Sequence, residues 1–324
     1  MKVLITGSFG NIGESTLLAF FEKGYEIRCF DLLTALNKKK QKQLIKIESF
    51  ETVWGDILDV EALRASVVNV DCIIHLAGII PPLSERKPDF ARKVNIQGTQ
   101  NIIRAVEHLE KKPKFIFAGS VSTFGPTMHL HPPRTSEDPL VATDTYTETK
   151  IACEEIVRAS SLPWTILRFA AAPPMTIGTD IDSLLFEMPL DQRIEFVHSR
   201  DVGLACANAV EAETTGKILL IGGGKSNQMI QREFVSRFME SMGLEMLPDS
   251  AFKIPTKPEE YYYTDWLDTE ESQRLLQFQT RSFSQYLEEM KSMMGIKRYI
   301  AKLFKGQAMR RMLAASPYYM KEES

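Results

Sequence analysis

The sequence predicts an α/β fold: a doubly wound parallel sheet with a smaller C-terminal substrate lobe. Three observations predict it. Short apolar runs alternate with helical stretches through the first 170 residues. Those runs are continuously apolar rather than alternating, which is the pattern of strands covered on both faces. A glycine-rich turn lies directly between the first run and the first helical stretch, where such a sheet begins.

Taken in order, Val3-Leu4-Ile5 reads as a strand and Ile12 to Lys23 as a helix stopped by Gly24. Tyr25 to Phe30 is a second strand, and Cys72 to Leu76 another. A helix is predicted near Asp89 to Glu110, a strand at Lys114 to Ala118, a helix at Tyr146 to Ala159 and a strand at Trp164 to Phe169. Beyond about residue 170 the regularity loosens, and Pro173, Pro174 and Pro189 punctuate it. Ile194 to His198 (strand), Ser199 to Ala212 (helix), Ile218 to Ile221 (strand) and Gln231 to Met242 (helix) follow. Residues 1–170 are therefore expected to form the dinucleotide-binding, Rossmann-type domain, with later sheet elements from about 194–221. Residues 171–294 form an interleaved substrate lobe, and residues 295–324 a separate basic segment.

Composition excludes other classes. The chain has 324 residues, 44% hydrophobic and 25% charged, with net charge −3, which is ordinary globular composition and not that of a disordered or fibrous chain. A near-neutral charge argues against a general nucleic-acid binder, because phosphate neutralisation needs clustered Lys and Arg. Cys29, Cys72, Cys153 and Cys206 match no metal-ligand spacing and read as thiols of a reducing compartment. The opening apolar stretch is too short for a signal peptide, and no segment is apolar enough to span a membrane. A cytoplasmic location is expected, with no metal site. His129 and His131 lie in a Pro-rich loop without a third ligand.

Thr6-Gly7-Ser8-Phe9-Gly10-Asn11-Ile12-Gly13 is the most informative stretch. One glycine permits the tight turn, one admits a pyrophosphate to the backbone and one lets helix and strand pack closely. The helix N-terminus adds free N–H groups and partial positive charge. Asp31 ends the second strand, where a carboxylate accepts from the adenosine ribose hydroxyls and repels a 2′-phosphate, favouring NAD over NADP. Lys38-Lys39-Lys40 reads as a solvated loop. Gly222-Gly223-Gly224-Lys225-Ser226 lacks the earlier glycine of a triphosphate-binding loop, since Leu219 stands there, and reads as a turn between strand and helix.

Tyr146 and Lys150 are four apart on one predicted helix and so share a face. A nearby ammonium favours the phenolate; bringing a tyrosine near neutrality corresponds to about 4 kcal/mol. Ser120, at the end of the preceding strand, supplies a hydroxyl for the substrate oxygen that Tyr146 protonates. With Thr6-Gly7-x-x-Gly10-x-x-Gly13, Asp31, Asp56-Ile57, His75-Leu76-Ala77-Gly78, Val94-Asn95-x-x-Gly98-Thr99 and Phe196 to Val202, this ordered set resembles the extended short-chain dehydrogenase/reductases. More narrowly it is similar to the NAD-dependent epimerase/dehydratase group, from Met1 to about residue 290.

The resemblance implies an NAD-dependent oxidoreductase or epimerase acting on a hydroxyl/carbonyl pair of a small molecule such as a sugar nucleotide. The alternatives are a ketone/alcohol reductase that uses no nucleotide sugar and a cofactor-binding regulator without chemistry. It implies Tyr146 as acid/base, Lys150 on the nicotinamide ribose and Ser120 orienting the substrate. The cofactor contacts it implies are Gly7, Phe9, Gly10, Asn11, Ile12, Gly13, Asp31, Asp56, Ile57, Leu76, Ala77, Gly78, Asn95, Tyr146, Lys150 and Phe169. A homodimer is the family's expectation.

The sequence also departs from the group. Ala171 stands where its sugar-nucleotide enzymes carry an Asn, and Ile194 where they carry an Arg for the diphosphate, with Arg193 one residue away. Val121 and Ser122 follow Ser120 where dehydratases have an Asp-Glu pair, which disfavours elimination; Ser122 and Arg193 are the candidate substrate contacts. Finally, residues 295–324 carry seven basic and two acidic side chains, with Ile296, Tyr299, Ile300, Leu303 and Phe304 at helical spacing. Such a segment either packs on its own domain or a second subunit, or lies on an anionic membrane surface, and the packed reading is preferred.

Overall fold

The first strand, β1 (Lys2–Thr6), is flanked on both sides by strands that come later in the chain, and this places the sheet's switch point at its carboxyl end. In the computed structural model, which describes residues 1–21, 23–175, 184–296, 298–299 and 303–319, seven parallel strands have the order β3-β2-β1-β4-β5-β6-β8. They are β2 (Glu26–Asp31), β3 (Glu51–Trp54), β4 (Cys72–His75), β5 (Lys114–Ser120), β6 (Trp164–Phe169) and β8 (Lys217–Ile221) with β1. Two short strands, β7 (Arg193–Glu195) and β9 (Gln228–Ile230), pair antiparallel in a separate sheet. The expectation that the segment from residue 194 joins the main sheet is thus corrected: only β8 does, beside β6.

Helices cover both faces, as continuously apolar strands require. On one face α1 (Asn11–Phe21) packs on α9 (Ser199–Asn208), around Leu17, Phe20, Val202 and Cys206. A Cβ on Gly203 would lie 2.4 Å from the Ser15 carbonyl, so this glycine sets how closely the two helices approach. On the other face α3 (Val60–Ser66), α6 (Gly98–Val106) and α7 (Thr145–Ala159) bury Leu63, Ile102 and Val157 against Ile73, Phe115 and Ile166.

The helix expected at Asp89 to Glu110 is broken. It runs as α4 (Leu83–Arg86), α5 (Pro88–Arg92), a π-type turn at Lys93–Gln97, and α6, which ends at Val106. Lys38 to Lys40 lie in a helix, α2 (Ala35–Leu44), rather than a loop.

The smaller lobe has its own cores. One joins Phe186 of α8 (Leu184–Glu187) to Val235 and Met239 of α10 (Gln231–Ser241), with Leu247 and Phe252. The other gathers Ile194, Phe196 and Met229 around Phe283, Tyr286 and Met290 of α12 (Phe283–Met294). A further short helix, α11 (Glu270–Leu276), lies against β8. Asp201 ties this lobe to α9: its buried carboxylate accepts from Thr280 N (3.0 Å), Arg281 N (2.8 Å), the Thr280 hydroxyl (2.7 Å) and the Arg281 guanidinium (2.6 Å).

Candidate active site

The strand register lines up the sequence-derived residues along one edge. Thr6 pairs with both Phe30 and His75, and Ser120 with Phe169, so the ends of β1, β2, β4, β5 and β6 open on the same side. There Gly7 turns with φ +70°. A Cβ on Gly7 would sit 2.8 Å from the backbone N of Ala77, and one on Gly13 would sit 2.2 Å from the carbonyl O of Gly7. The loop is therefore a cradle of bare backbone at the start of α1, whose first-turn N–H groups have no intrahelical partner. This fits a pyrophosphate.

Asp31 ends β2 beside this loop. Its Oδ2 accepts from Phe9 N (2.8 Å) and its Oδ1 from Leu32 N (2.8 Å) and the Asn37 amide (3.1 Å). Burial raises its pKa, and those backbone hydrogen bonds oppose the rise. Lys40, read from sequence as solvated, donates to the Phe9 carbonyl (2.9 Å) and pairs with Glu14 (2.9 Å), bracing the glycine loop from α2. Its partners are 31 and 26 positions away, so no local signal exposes the contact. Asp56 is exposed, and Ile57 is buried beneath Gly98, where a Cβ would lie 2.4 Å from its Cδ1.

Asn95 lies in the π-type turn, buried. Its Oδ1 accepts from Ile79 N (2.7 Å), and its amide donates to Ile79 O (3.0 Å) and the Thr149 hydroxyl (2.9 Å). All its polar atoms are thus spent on fastening the Leu76-Ala77-Gly78 loop to α7. Beneath it, the His75 ring bridges the hydroxyls of Thr6 (2.7 Å) and Thr99 (3.1 Å). Burial, together with the nearby Lys150 charge, pushes the His75 pKa down to about 3, so the imidazole is neutral.

Tyr146, Lys150 and Ser120 converge at the edge of β5. The Tyr146 hydroxyl hydrogen-bonds Ser120, whose Oγ is 2.7 Å from the Ser122 Oγ. Lys150 is buried and donates to Ala118 O at 2.7 Å, with its Nζ 5.8 Å from the Tyr146 ring centre. Burial lowers the Lys150 pKa. Burial also raises Tyr146, to about 12; the Ser120 hydrogen bond opposes this and the Asp144 charge adds to it. Burial is the largest influence on the Tyr146 hydroxyl in this structure, while the Lys150 ammonium donates to the Ala118 carbonyl.

The catalytic helix is held from two directions. Glu85 of α4 accepts from Thr145 N and Tyr146 N, both at 3.1 Å, where a carboxylate complements the helix N-terminus. Asp144, the N-cap, accepts from Thr147 N (2.8 Å) and from the Tyr263 hydroxyl (2.9 Å), and Tyr262 stacks on Tyr263. Sequence reading missed Glu85 and Tyr263, whose partners are 60 and 119 positions distant.

Arg193 goes elsewhere. Its Nε is 2.6 Å from Asp265 Oδ1 and its second nitrogen 3.0 Å from Oδ2, and it also donates to Thr127 O (3.1 Å) and Leu130 O (3.0 Å). It fastens the Met128 to Pro133 loop rather than presenting a free cation.

Comparison with known proteins identifies the lineage. Residues 3–171 match the model of the NAD dependent epimerase/dehydratase family, just over half of the chain. The chain belongs to the NAD dependent epimerase/dehydratase family. Within it, the chain is 31% identical over 197 residues to a UDP-glucose 4-epimerase of Bacillus subtilis (strain 168), covering 56% of each. It is 27% identical over 213 residues to a 3 beta-hydroxysteroid dehydrogenase/Delta 5-->4-isomerase of Mycobacterium tuberculosis, covering 61% of this chain and 54% of that one. It thus aligns with about half the length of the curated relatives it matches. In fold it is similar to the UDP-glucuronic acid 4-epimerase of Bacillus cereus solved with UDP-glucuronic acid and NAD, with TM-score 0.74 at 22% identity, covering 90% of this chain and 98% of that one.

Proposed function

We propose that this chain is an NAD-dependent oxidoreductase or epimerase that interconverts a hydroxyl and a carbonyl on a small molecule. The observation that carries this reading is Lys150. A buried ammonium whose hydrogen bond goes to one carbonyl, with no carboxylate within ion-pair distance among the described residues, is costly as a structural element. It is warranted where it faces a bound ribose and a tyrosine that must ionise. Gly7, Phe9, Gly10, Asn11, Ile12 and Gly13 would hold the pyrophosphate, and Asp31 the adenosine ribose. Asp56, Ile57, Leu76, Ala77, Gly78 and Phe169 would line the rest of the cofactor. Bound NAD supplies a reversible hydride acceptor.

The chain's own residues move the proton. Ser120 and Tyr146 bind the substrate oxygen between their hydroxyls. When a carbonyl is reduced, the neutral Tyr146 phenol gives its proton to that oxygen. When an alcohol is oxidised, the phenolate takes the proton back, with the Ser120 hydrogen bond and Lys150 stabilising its charge. Such acid/base assistance is worth about 10²- to 10⁴-fold in rate. Ser122, bonded to Ser120, fixes its orientation.

A specific observation favours a substrate without a diphosphate. Residues 170–192 contain no Lys or Arg, and Arg193, the first cation after them, is paired with Asp265. A neutral ketone or alcohol therefore suits the lobe better than a nucleotide sugar.

The test measures absorbance at 340 nm with NAD and NADH against a panel of ketones, secondary alcohols and UDP-sugars. Net redox turnover of neutral substrates that is lost in Tyr146→Phe supports the proposal. Turnover of a UDP-sugar with no net cofactor change restores the nucleotide-sugar epimerase, and wild-type rates in Tyr146→Phe refute the catalytic reading.

A further inference from the structure

The charge of this chain is strongly divided. Residues 290–321 hold eight Lys or Arg (Lys291, Lys297, Arg298, Lys302, Lys305, Arg310, Arg311 and Lys321) and no Asp or Glu. With a total of −3, the remainder of the chain is therefore strongly acidic.

The structure also separates two parts of this segment. The helix Lys305–Ala315 turns Met309, Met312 and Leu313 onto the lobe core of Phe186, Leu247 and Phe252, and the Ser316 hydroxyl donates to Ala251 O at 2.6 Å. That half is packed. Four described residues before it are not: Ile296 is 76% exposed, Tyr299 70%, Leu303 82% and Phe304 60%. Arg298 and Tyr299 line, with Lys305, Glu240 and Glu245, an open cleft of about 350 Å³ against the end of α10. Lys305 is paired with Glu245, but Arg298, Arg310 and Arg311 form no ion pair with any described residue.

We propose that Ile296, Tyr299, Leu303 and Phe304, with Arg298, Arg310 and Arg311, dock the protein on an anionic lipid surface. Large aliphatic and aromatic side chains left in water beside the unpaired cations Arg298, Arg310 and Arg311, in a stretch of sequence without Asp or Glu, match the composition that inserts at the headgroup boundary. The packed helix behind them supplies a rigid base. A second copy of this chain fits less well, because an isologous contact would set this cationic segment against itself. The acidic remainder of the chain would also be repelled by the same bilayer, which orients docking through this end alone. This inference is independent of the reaction assigned above.

The full-length protein is tested by co-sedimentation with vesicles of phosphatidylcholine containing about one-third phosphatidylserine, alongside pure phosphatidylcholine vesicles. Binding is expected to the anionic vesicles and to fall steeply with salt. Each basic residue near such a surface is worth about 1 kcal/mol, or roughly fivefold, so Arg310→Ala/Arg311→Ala lowers the partition coefficient roughly 30-fold. Leu303→Asp/Phe304→Asp lowers it more than tenfold without changing the melting temperature, since both side chains are already in water. Absence of binding, equal binding to neutral vesicles, or unchanged binding by both variants overturns the proposal. So does a stable dimer in sedimentation velocity that Leu303→Asp/Phe304→Asp dissociates.

Discussion

Replacing Glu154 by leucine isolates a charge behind the catalytic helix. Arg168 on β6 meets Glu154 on α7 at 2.8 Å and 3.1 Å, and both side chains are 3% exposed. Gly119 of β5 leaves the space for this pair: a Cβ there would be 2.8 Å from Glu154 Oε1. In Glu154→Leu, Arg168 keeps the Ser136 carbonyl (3.1 Å) and the Phe124 ring face, but loses its counter-ion in a site closed to water. Removing one partner of a buried pair costs about 3–5 kcal/mol, because the other charge stays desolvated. For a protein of this size that amounts to a melting-temperature loss of roughly 4–7 °C. The double variant Glu154→Leu/Arg168→Met removes both charges and is expected to recover most of the loss, since an apolar pair of similar volume is neutral or better. Urea denaturation followed by far-UV circular dichroism gives all three stabilities. A double variant no more stable than the single one would refute the reasoning, as would a single-variant loss below about 1 kcal/mol.

Other expectations follow from the site. Tyr146→Phe should lower kcat at least 10²-fold while leaving NAD affinity within about threefold, read by steady-state kinetics and by titration of bound NADH fluorescence. Gly7→Ala must place an L residue at φ +70° against the Ala77 backbone; it should cost about 1–2 kcal/mol of stability from the backbone alone and weaken NAD binding more than tenfold, measured by calorimetry. His75 is protonated in the unfolded chain near pH 6.5 but in the fold only near pH 3. Between those values the unfolded state binds the extra proton, so stability falls as pH falls, by about 2 kcal/mol from pH 6.5 to 5. His75→Gln should flatten that slope in thermal melts at constant ionic strength, and equal slopes would remove His75 as its source.

Legibility followed how local each signal was. β1, the glycine turn and the ends of β2, β4 and β5 were readable, because a doubly covered strand needs an unbroken apolar run and the turn needs glycine. β3 was not: Glu51-Thr52-Val53-Trp54 lies at the edge of the sheet, only half buried, and carries two polar residues. α2 was not, since Ala35–Leu44 buries only Leu44 and is held at its start by the Thr34 cap and in its middle by Lys40. Arg193 was read as a substrate contact because its chain position is near the family's arginine, but Asp265, 72 positions away, takes its guanidinium. Tyr146 and Lys150 were visible as a pair, while their protonation depends on burial, which spacing on a helix does not report.

The π-type turn at Lys93–Gln97 has a consequence for insertions and deletions. It accommodates one residue more than a regular helix of the same length would. Deleting one of its exposed residues, Lys93 or Gln97, would let α5 and α6 join into a regular helix with both flanks kept in phase. Asn95, inside the turn, would lose its aim at Ile79 and Thr149, whereas Arg92, outside it, would keep the Glu148 carboxylate it grips at 3.1 Å and 2.9 Å. The segment is thus one where chain length, more than side-chain identity, is constrained: substitutions at Lys93 or Gln97 are cheap, but a single-codon deletion would unfasten the cofactor loop from the catalytic helix.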